Sequence, residues 1–372
     1  MRMPQDLSRA AGVRDARVAL VVVAMFGLVS CNGAGVATPS PDPADGSSPT
    51  TPGTAAASDP ATSGEPTFDL SGVELTITVS HESPMGSLER SLELLEEWGA
   101  VIDKVETGEG LQALLAGESD IAGQHGADEL IIAFAQGADV IGIGTSTANL
   151  EDVLLGGGDY EEISDLEGTT IATSGPGGFS HLMAALVLRS GGLDPDEDVT
   201  FASIGGSSER AAAVLAGQAS AGIVAFDLWL TVSEQSDDVR IVATLAEALP
   251  EFNGPVYYAM RSFWEENPEV ALAWACANLE ANEWSGADQQ RYVDFWLERL
   301  PERTPESLEG TWQFQVDNNS WPTEPDEVMS VEGLQQYSDS LVETGDISAP
   351  IDASEILDFS YLEEAKSMGC GG

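Results

Sequence analysis

Short apolar segments alternate with helical segments between residues 73 and 260, and this alternation constrains the fold more than any other feature of the sequence. Strands that alternate with helices form parallel sheets, and α/β proteins of this kind bind ligands in loops at the carboxyl ends of the strands. Helices are predicted at residues 88–98, 179–189 and 208–215. Strands are predicted at residues 73–80, 101–106, 120–123, 140–145, 170–173, 199–204, 221–225, 240–245 and 256–260.

The chain becomes predominantly helical after Pro268. Four tryptophans recur through this part, at positions 264, 274, 284 and 296. Large aromatic side chains spaced along helices are typical of a packed core. We therefore expect these tryptophans to fill space between helices rather than to line a binding site.

Charge and composition exclude two classes of protein. The 372 residues include 63 Asp and Glu against 14 Lys and Arg, a formal net charge of -49. Nucleic-acid binding needs a basic face, which this chain does not have. With 42% hydrophobic residues, the chain can bury a sizeable core, so it is not disordered throughout. The acidity indicates a solvated surface.

Residues 1–31 have the pattern of an export signal. Four arginines precede an apolar run at residues 18–29, which is shorter than the roughly 20 residues that span a bilayer. Leu28-Val29-Ser30-Cys31 resembles a bacterial lipobox. The segment predicts lipidation of Cys31 and a lipid anchor on the outer face of the cytoplasmic membrane. The alternative is an ordinary signal peptide with an incidental cysteine.

Residues 32–66 are rich in Pro, Ser, Thr, Ala, Gly and Asp and show no apolar periodicity. Such a segment cannot bury enough surface to fold. It is predicted to be a disordered tether that lets the folded part range some tens of Å from the membrane.

The sequence contains none of the common catalytic motifs. There is no G-x-S-x-G, S-x-x-K, H-E-x-x-H or P-loop pattern, and the cysteines lack C-x-x-C spacing. If Cys31 is lipidated, Cys276 and Cys370 remain as a possible disulfide pair outside the cell. The sequence alone leaves open whether they meet.

A glycine-rich segment lies between a predicted strand and the helix that follows it. Glycines let the backbone approach a ligand closely, and the free N–H groups at a helix start favour an anionic or accepting group. The alternative is a turn with no ligand. The candidate ligand-binding residues here are Ser174, Gly175, Gly177, Gly178, Phe179, Ser180 and His181.

The three histidines, His81, His125 and His181, all fall in predicted loops at strand ends. If these loops converge, the imidazoles could donate to a ligand, or could hold a metal ion with Glu82 or Asp227. No two histidines share a helical spacing, so we predict no metal site. The alternative is three unrelated loop histidines.

Several short motifs, in a common order, resemble the substrate-binding proteins of ABC importers, in the group that takes up sulfonates, taurine, nitrate and the pyrimidine precursor of thiamine. The resemblance extends from about residue 73 to residue 366. Its motifs lie at residues 111–123 (LQALLAGESDIAG), 135–140 (AQGADV), 163–168 (ISDLEG), 213–218 (AVLAGQ), 267–269 (NPE) and 358–365 (DFSYLEEA).

The resemblance implies an α/β, two-lobed type II periplasmic-binding-protein fold with a helical C-terminal part. Lobe one would comprise residues 67–160 plus 249–372, and lobe two residues 161–248. The solute would bind in the cleft, where the glycine-rich segment faces loop residues of lobe one. Those residues would be Ser80, His81, Gln124, His125, Thr145 and Ser146.

Relatives often carry Trp-x-Pro where this chain has Phe226-Asp227-Leu228. An acid at Asp227 suits a hydroxyl, an amine or a ring N–H better than a bare anion. The net charge repels anions at long range, but physiological salt limits that effect to about 8 Å, so local donors decide binding. A zwitterion or a polar heterocycle fits these features.

The resemblance predicts an exported, lipid-anchored monomer without enzymatic activity or cofactor. It would capture a small polar or anionic organic solute and deliver it to an ABC permease and its ATPase. One alternative is a pyrimidine-synthase-type enzyme that uses pyridoxal phosphate, although Lys104 and Lys366 lie away from the predicted loops. Another is a lipoprotein that senses a solute.

Overall fold

The computed structural model describes residues 67–80, 82–107, 109–176, 178–250, 252 and 254–372, all of which belong to one compact unit. The predicted signal peptide, Cys31 and tether lie outside the described residues, as do His81 and Gly177. No helix in the described ranges is both long enough and apolar enough to cross a bilayer.

Ten strands form two sheets within the described residues. They are β1 (Glu74–Val79), β2 (Val101–Glu106), β3 (Ile121–His125), β4 (Val140–Gly144), β5 (Asp152–Gly157), β6 (Thr170–Thr173), β7 (Thr200–Ser203), β8 (Ala221–Ala225), β9 (Val239–Thr244) and β10 (Val256–Met260).

Helices connect these strands and form the C-terminal part. They are α1 (Leu88–Glu97), α2 (Gly110–Ala116), α3 (Ala127–Ala135), α4 (Phe179–Ser190), α5 (Ser207–Leu215), α6 (Phe226–Ser233), α7 (Leu245–Ala248), α8 (Arg261–Glu266), α9 (Pro268–Ala287), α10 (Gln289–Arg299), α11 (Pro305–Asp317), α12 (Pro325–Val328), α13 (Val331–Thr344) and α14 (Ser360–Met368).

The two sheets have matching topologies. The first has the order β2-β1-β3-β10-β4 and the second the order β7-β6-β8-β5-β9. Half of the neighbouring strand pairs are parallel, as predicted, but β10 is antiparallel to β3 and β4, and β5 is antiparallel to β8 and β9. Each antiparallel strand is the one that the chain enters after crossing from the other sheet. The expectation of purely parallel sheets is therefore corrected.

All nine predicted strands are present, with bounds that differ by at most two residues. The tenth strand, β5, was missed because Gly156 and Gly157 weaken the strand pattern. Glycine is required at 156, where an added Cβ would lie 2.4 Å from Val242 Cγ2. Since β5 belongs to the second sheet, the first crossing lies between Gly144 and Asp152 rather than at residue 160.

The C-terminal helices pack as the tryptophan pattern predicts. Trp264, Trp274 and Trp296 are at most 2% exposed. Trp284 is the exception, because it is half-buried and the Arg291 guanidinium lies 4.7 Å from its ring centre. The tryptophans of this region are core residues, with one at the edge of the core.

A disulfide joins Cys276 on α9 to Cys370 beyond α14. This answers the question that the sequence left open. Both cysteines are fully buried, and α9 and α14 pack against each other. The disulfide therefore fixes the end of the chain to the long helix that covers the first sheet.

Candidate functional site

A cavity of about 670 Å³ lies between the two sheets. Residues that follow β1 and β3 line one wall, and the turns after β6, β7 and β8 line the other. The two crossing segments contribute Leu150–Asp152 and Gly254–Pro255. The site thus lies at the carboxyl ends of the strands, and its volume suits a small organic molecule.

The glycine-rich turn after β6 has a well-defined structure. The Ser174 N–H donates to Ser180 Oγ (2.7 Å), and the Ser180 hydroxyl donates to Ser174 Oγ (2.9 Å). Gly175 has φ +117°, which other residues rarely adopt, and an added Cβ at Gly178 would lie 2.2 Å from Ser174 Oγ. No side chain caps α4, so the turn presents the start of this helix to the cavity.

The structure brings together six of the twelve predicted site residues that it describes. The members that line the cavity are Ser80, Gln124, His125, Ser174, Gly178 and Phe179. Gly175 and Ser180 do not line the cavity but shape the glycine-rich turn, Gly175 by its positive φ and Ser180 by its hydrogen bonds with Ser174. The remaining four described members, Thr145, Ser146, His181 and Asp227, are not among the residues that line the cavity.

Thr145 and Ser146 are buried at the end of β4 and contact the protein itself. The Thr145 N–H donates to Asn278 Oδ1 (3.2 Å), and Asn278 Nδ2 donates to the Thr145 carbonyl (2.7 Å). The Ser146 carbonyl accepts from the Ser87 N–H (2.9 Å). These residues connect β4 to α9 and to the start of α1, so they support the cavity from outside.

His181 lies in the first turn of α4, where it packs against Phe201 with the ring centres 4.3 Å apart. Its Nδ1 is 3.4 Å from Thr173 Oγ1, and burial lowers the pKa of its imidazole. This histidine therefore packs in the second lobe, between α4 and the sheet.

His125 lines the cavity and is 3% exposed. Its Nδ1 lies 3.7 Å from Glu129 Oε1, and its Nε2 has no hydrogen-bond partner. Gly110 packs against the ring, where an added Cβ would lie 2.2 Å from Nε2. In the described part of the chain, the only close group of possible metal ligands is Cys276, Cys370 and Glu280, whose two sulfurs form the disulfide.

Asp227 already has a cationic partner. It is 6% exposed in the first turn of α6, and its Oδ2 lies 2.5 Å from Arg303 Nη2. Arg303 also donates to the Asp227 carbonyl (3.2 Å) and to Thr231 Oγ1 (2.9 Å). The carboxylate that we expected to face a ligand is thus paired with an arginine 76 residues away in sequence.

Sequence reasoning missed a group of charged residues that line the cavity. Its members are Asp128, Glu129, Glu151, Asp152 and Arg210. Four carboxyl groups and one guanidinium make this cavity acidic. The signals in the sequence were two acidic pairs, Asp128-Glu129 shortly after β3 and Glu151-Asp152 at the start of the missed strand β5.

Burial perturbs three of these acids. Glu151 is 8% exposed and its Oε2 has no hydrogen-bond partner. Burial, and then the charges of Asp152 and Asp227, raise its pKa well above the ordinary value. Burial raises the pKa of Asp152 to about 6, although Arg210 opposes the shift. Burial and the charge of Glu129 raise the pKa of Asp128 to about 6.

Glu129 differs because it is well hydrogen-bonded. Burial alone would raise its pKa, but His125, the Tyr258 hydroxyl (2.9 Å) and the Leu111 N–H (3.2 Å) bring it below the ordinary value. Glu129 therefore carries a charge at neutral pH and connects α3 to β10 and α2.

Arg210 is the one arginine of the described lining, which has no lysine, and it is 7% exposed. Its Nε donates to the Ile223 carbonyl (2.6 Å) and its Nη1 to the Gly205 carbonyl (2.6 Å). Burial lowers its pKa, and the charge of Asp152 opposes this. Arg210 thus connects β8 to the turn before α5, and its positive charge partly compensates the negative charge of Asp152.

Comparison with known families gives the family of the chain. The sequence profile described as "NMT1/THI5 like" matches residues 100–291, just over half of the 372 residues. The chain belongs to the NMT1/THI5-like family. The predicted resemblance to the sulfonate and nitrate group of binding proteins is confirmed. No curated protein matches the sequence significantly.

Solved structures show that this family member has the predicted two-lobed type II periplasmic-binding-protein fold. The periplasmic aliphatic sulphonate binding protein SsuA from Escherichia coli is 20% identical, with a TM-score of 0.60 over 77% of this chain and 92% of that chain. The periplasmic nitrate-binding protein NrtA from Synechocystis PCC 6803 is 14% identical, with a TM-score of 0.61 over 80% and 89%.

A third similar structure contains a bound molecule. The alkanesulfonate-binding protein SsuA from Xanthomonas axonopodis pv. citri, bound to MOPS, is 19% identical, with a TM-score of 0.60 over 77% of this chain and 99% of that chain. At these identities the comparisons show the fold alone, and the ligand of this NMT1/THI5-like protein depends on the residues of its own cavity.

Proposed function

We propose that this protein is the extracytoplasmic solute-binding component of an ABC importer and that it captures a small organic solute between its two sheets. The observation that carries the proposal is the cavity of about 670 Å³, whose walls come from both sheets and both crossing segments. Glu151 and Gln124 each present a buried side-chain atom without a partner there, and such atoms normally find one.

The two segments in which the chain crosses between the sheets explain how solute binding would be coupled to the arrangement of the sheets. A solute that contacts both walls binds a closed arrangement of the sheets better than an open one, and so shifts the population toward closure. A permease and its ATPase would then recognise the closed form. Lipidation of Cys31, the tether and a monomeric state belong to the same proposal. Solute-binding proteins for sulfonate and nitrate among similar folds support it.

Two lysines bear on the enzymatic alternative. A pyridoxal phosphate enzyme needs a lysine beside its cofactor. Lys104 lies on β2 with its Nζ 2.8 Å from Glu89 Oε1, and Lys366 lies on α14 with its Nζ 3.2 Å from Glu324 Oε1. Neither belongs to the described lining of the cavity. These positions favour solute capture without covalent chemistry.

Native mass spectrometry of the freshly purified protein, followed by thermal unfolding with candidate solutes, tests the proposal. A solute at a hundredfold excess over its dissociation constant should stabilise the fold by about 2.7 kcal/mol. Gln124→Ala should weaken binding, whereas Gln313→Ala, on the exposed surface of α11, should not. Contrary results would be no retained mass and no stabilising solute, or equal affinity in both variants.

A further inference from the structure

The acid pair Glu151-Asp152 stands at the first crossing, and both residues line the cavity. Glu151 is more than nine-tenths buried, and its Oε2 has no hydrogen-bond partner. Within the described residues, no ion pair includes either acid. A buried carboxylate without a partner is unfavourable, so a positive group on a ligand would stabilise the ionised form of Glu151.

The nearby arginines are committed to other partners. Arg210 uses Nε and Nη1 on backbone carbonyls, and Arg303 pairs with Asp227. Among the described lining residues Arg210 is the only Lys or Arg, and it compensates the four carboxyl groups of the cavity only in part. An anionic solute would meet these carboxyl groups in a cavity of low polarity, where like charges repel strongly.

Resting on the proposed function, we infer that the solute carries a protonated nitrogen, an amine or an amidine, which binds Glu151 and Asp152. This class differs from the sulfonate and nitrate named for the similar structures.

Other residues of the cavity lining indicate the chemistry of the rest of the solute. Gln124 is 4% exposed and its Nε2 donor has no partner, so it suits an acceptor atom on the same molecule. Leu111, Ile132, Leu150 and Phe179 give the cavity apolar walls. The solute is therefore an organic cation with an apolar body and a hydrogen-bond acceptor. A zwitterion or a polar heterocycle has these groups.

The raised pKa values of the acids fit this assignment and add a pH dependence. Asp152 and Asp227 face Glu151 electrostatically, and Arg210, Asp227 and the Tyr337 hydroxyl face Asp152. The Arg303 guanidinium, in the α10–α11 connection, pairs with Asp227. The Tyr292 hydroxyl, on α10, faces Asp227 and Glu151. Because a cation binds the ionised acids, it displaces their protons. With a pKa of about 6 at Asp152, affinity should rise about tenfold from pH 5 to pH 7.

Matched probes test the inference. Calorimetric titrations and thermal unfolding would compare phenethylamine, hexylamine and benzamidine with 2-phenylethanesulfonate, hexanesulfonate and benzoate. The proteins are the wild type, the double variant Glu151→Gln/Asp152→Asn, and Asp159→Asn, an exposed acid beyond the other end of β5. At least one amine or amidine should bind more tightly than its matched anion, and the double variant should lose at least tenfold while Asp159→Asn does not.

The outcomes separate this inference from the proposed function. Tighter binding of an anion, no binding of any cation, or equal cation affinity in the double variant overturns the assignment of a protonated nitrogen. If an anion binds and Gln124→Ala abolishes that binding, the solute-binding function stands and only the ligand class is wrong. If no solute binds and none is retained on purification, both are wrong. Circular dichroism of the unliganded variants confirms that they are folded.

Discussion

The acids of the cavity should destabilise the unliganded protein, and Asp152→Asn measures this effect. Burial raises the pKa of Asp152 from 3.8 to about 6 in the folded protein. The folded state therefore holds this proton more tightly than the unfolded state, and ionisation costs stability as the pH rises. The shift of about two units corresponds to about 3 kcal/mol once the pH exceeds 6, and to less than about 1 kcal/mol at pH 4.

Urea unfolding at pH 4 and pH 8, followed by tryptophan fluorescence, provides the assay. Asp152→Asn should raise the free energy of unfolding by up to about 3 kcal/mol at pH 8 and change it little at pH 4. Asp159→Asn should have little effect at either pH, because Asp159 is exposed. Destabilisation by Asp152→Asn at pH 8, or the same gain at both pH values, would refute the reasoning.

Three further changes test other parts of the structure. Arg303→Met leaves the buried Asp227 carboxylate unpaired and should cost about 3–5 kcal/mol in urea unfolding, and adding Asp227→Asn should recover most of that loss. Reducing the Cys276–Cys370 disulfide, which spans 94 residues, should lower the free energy of unfolding by about 4 kcal/mol, and an unchanged value would contradict its structural role. Gly178→Ala places a Cβ 2.2 Å from a side-chain oxygen of the turn, so solute affinity should fall at least tenfold in calorimetry.

The strands could be predicted because each combines a short apolar run with polar or glycine-containing flanks. Segments 101–106, 170–173, 221–225 and 256–260 match the observed strands β2, β6, β8 and β10 at both ends. The strand β5 ends in two glycines, and the close packing of Val242 explains the first of them, Gly156. That information is tertiary, so a local pattern could not supply it.

The site was predicted where it depends on the carboxyl ends of strands and the turns that follow them. Gln124 and Ser174 line the cavity because parallel topology brings strand ends together. The partner of Asp227 could not be predicted, since Arg303 comes from the distant α10–α11 connection. The charge of the cavity was missed for a similar reason, because Glu151 faces it only through the crossing that precedes β5.

A crystal structure grown with the most stabilising solute tests the central proposal most directly, namely that a solute binds between the two sheets. We predict density for the solute inside the cavity, with a nitrogen within hydrogen-bond distance of the Glu151 carboxylate and an acceptor near Gln124 Nε2. A solute bound on the outer surface, with only water in the cavity, would contradict the proposal.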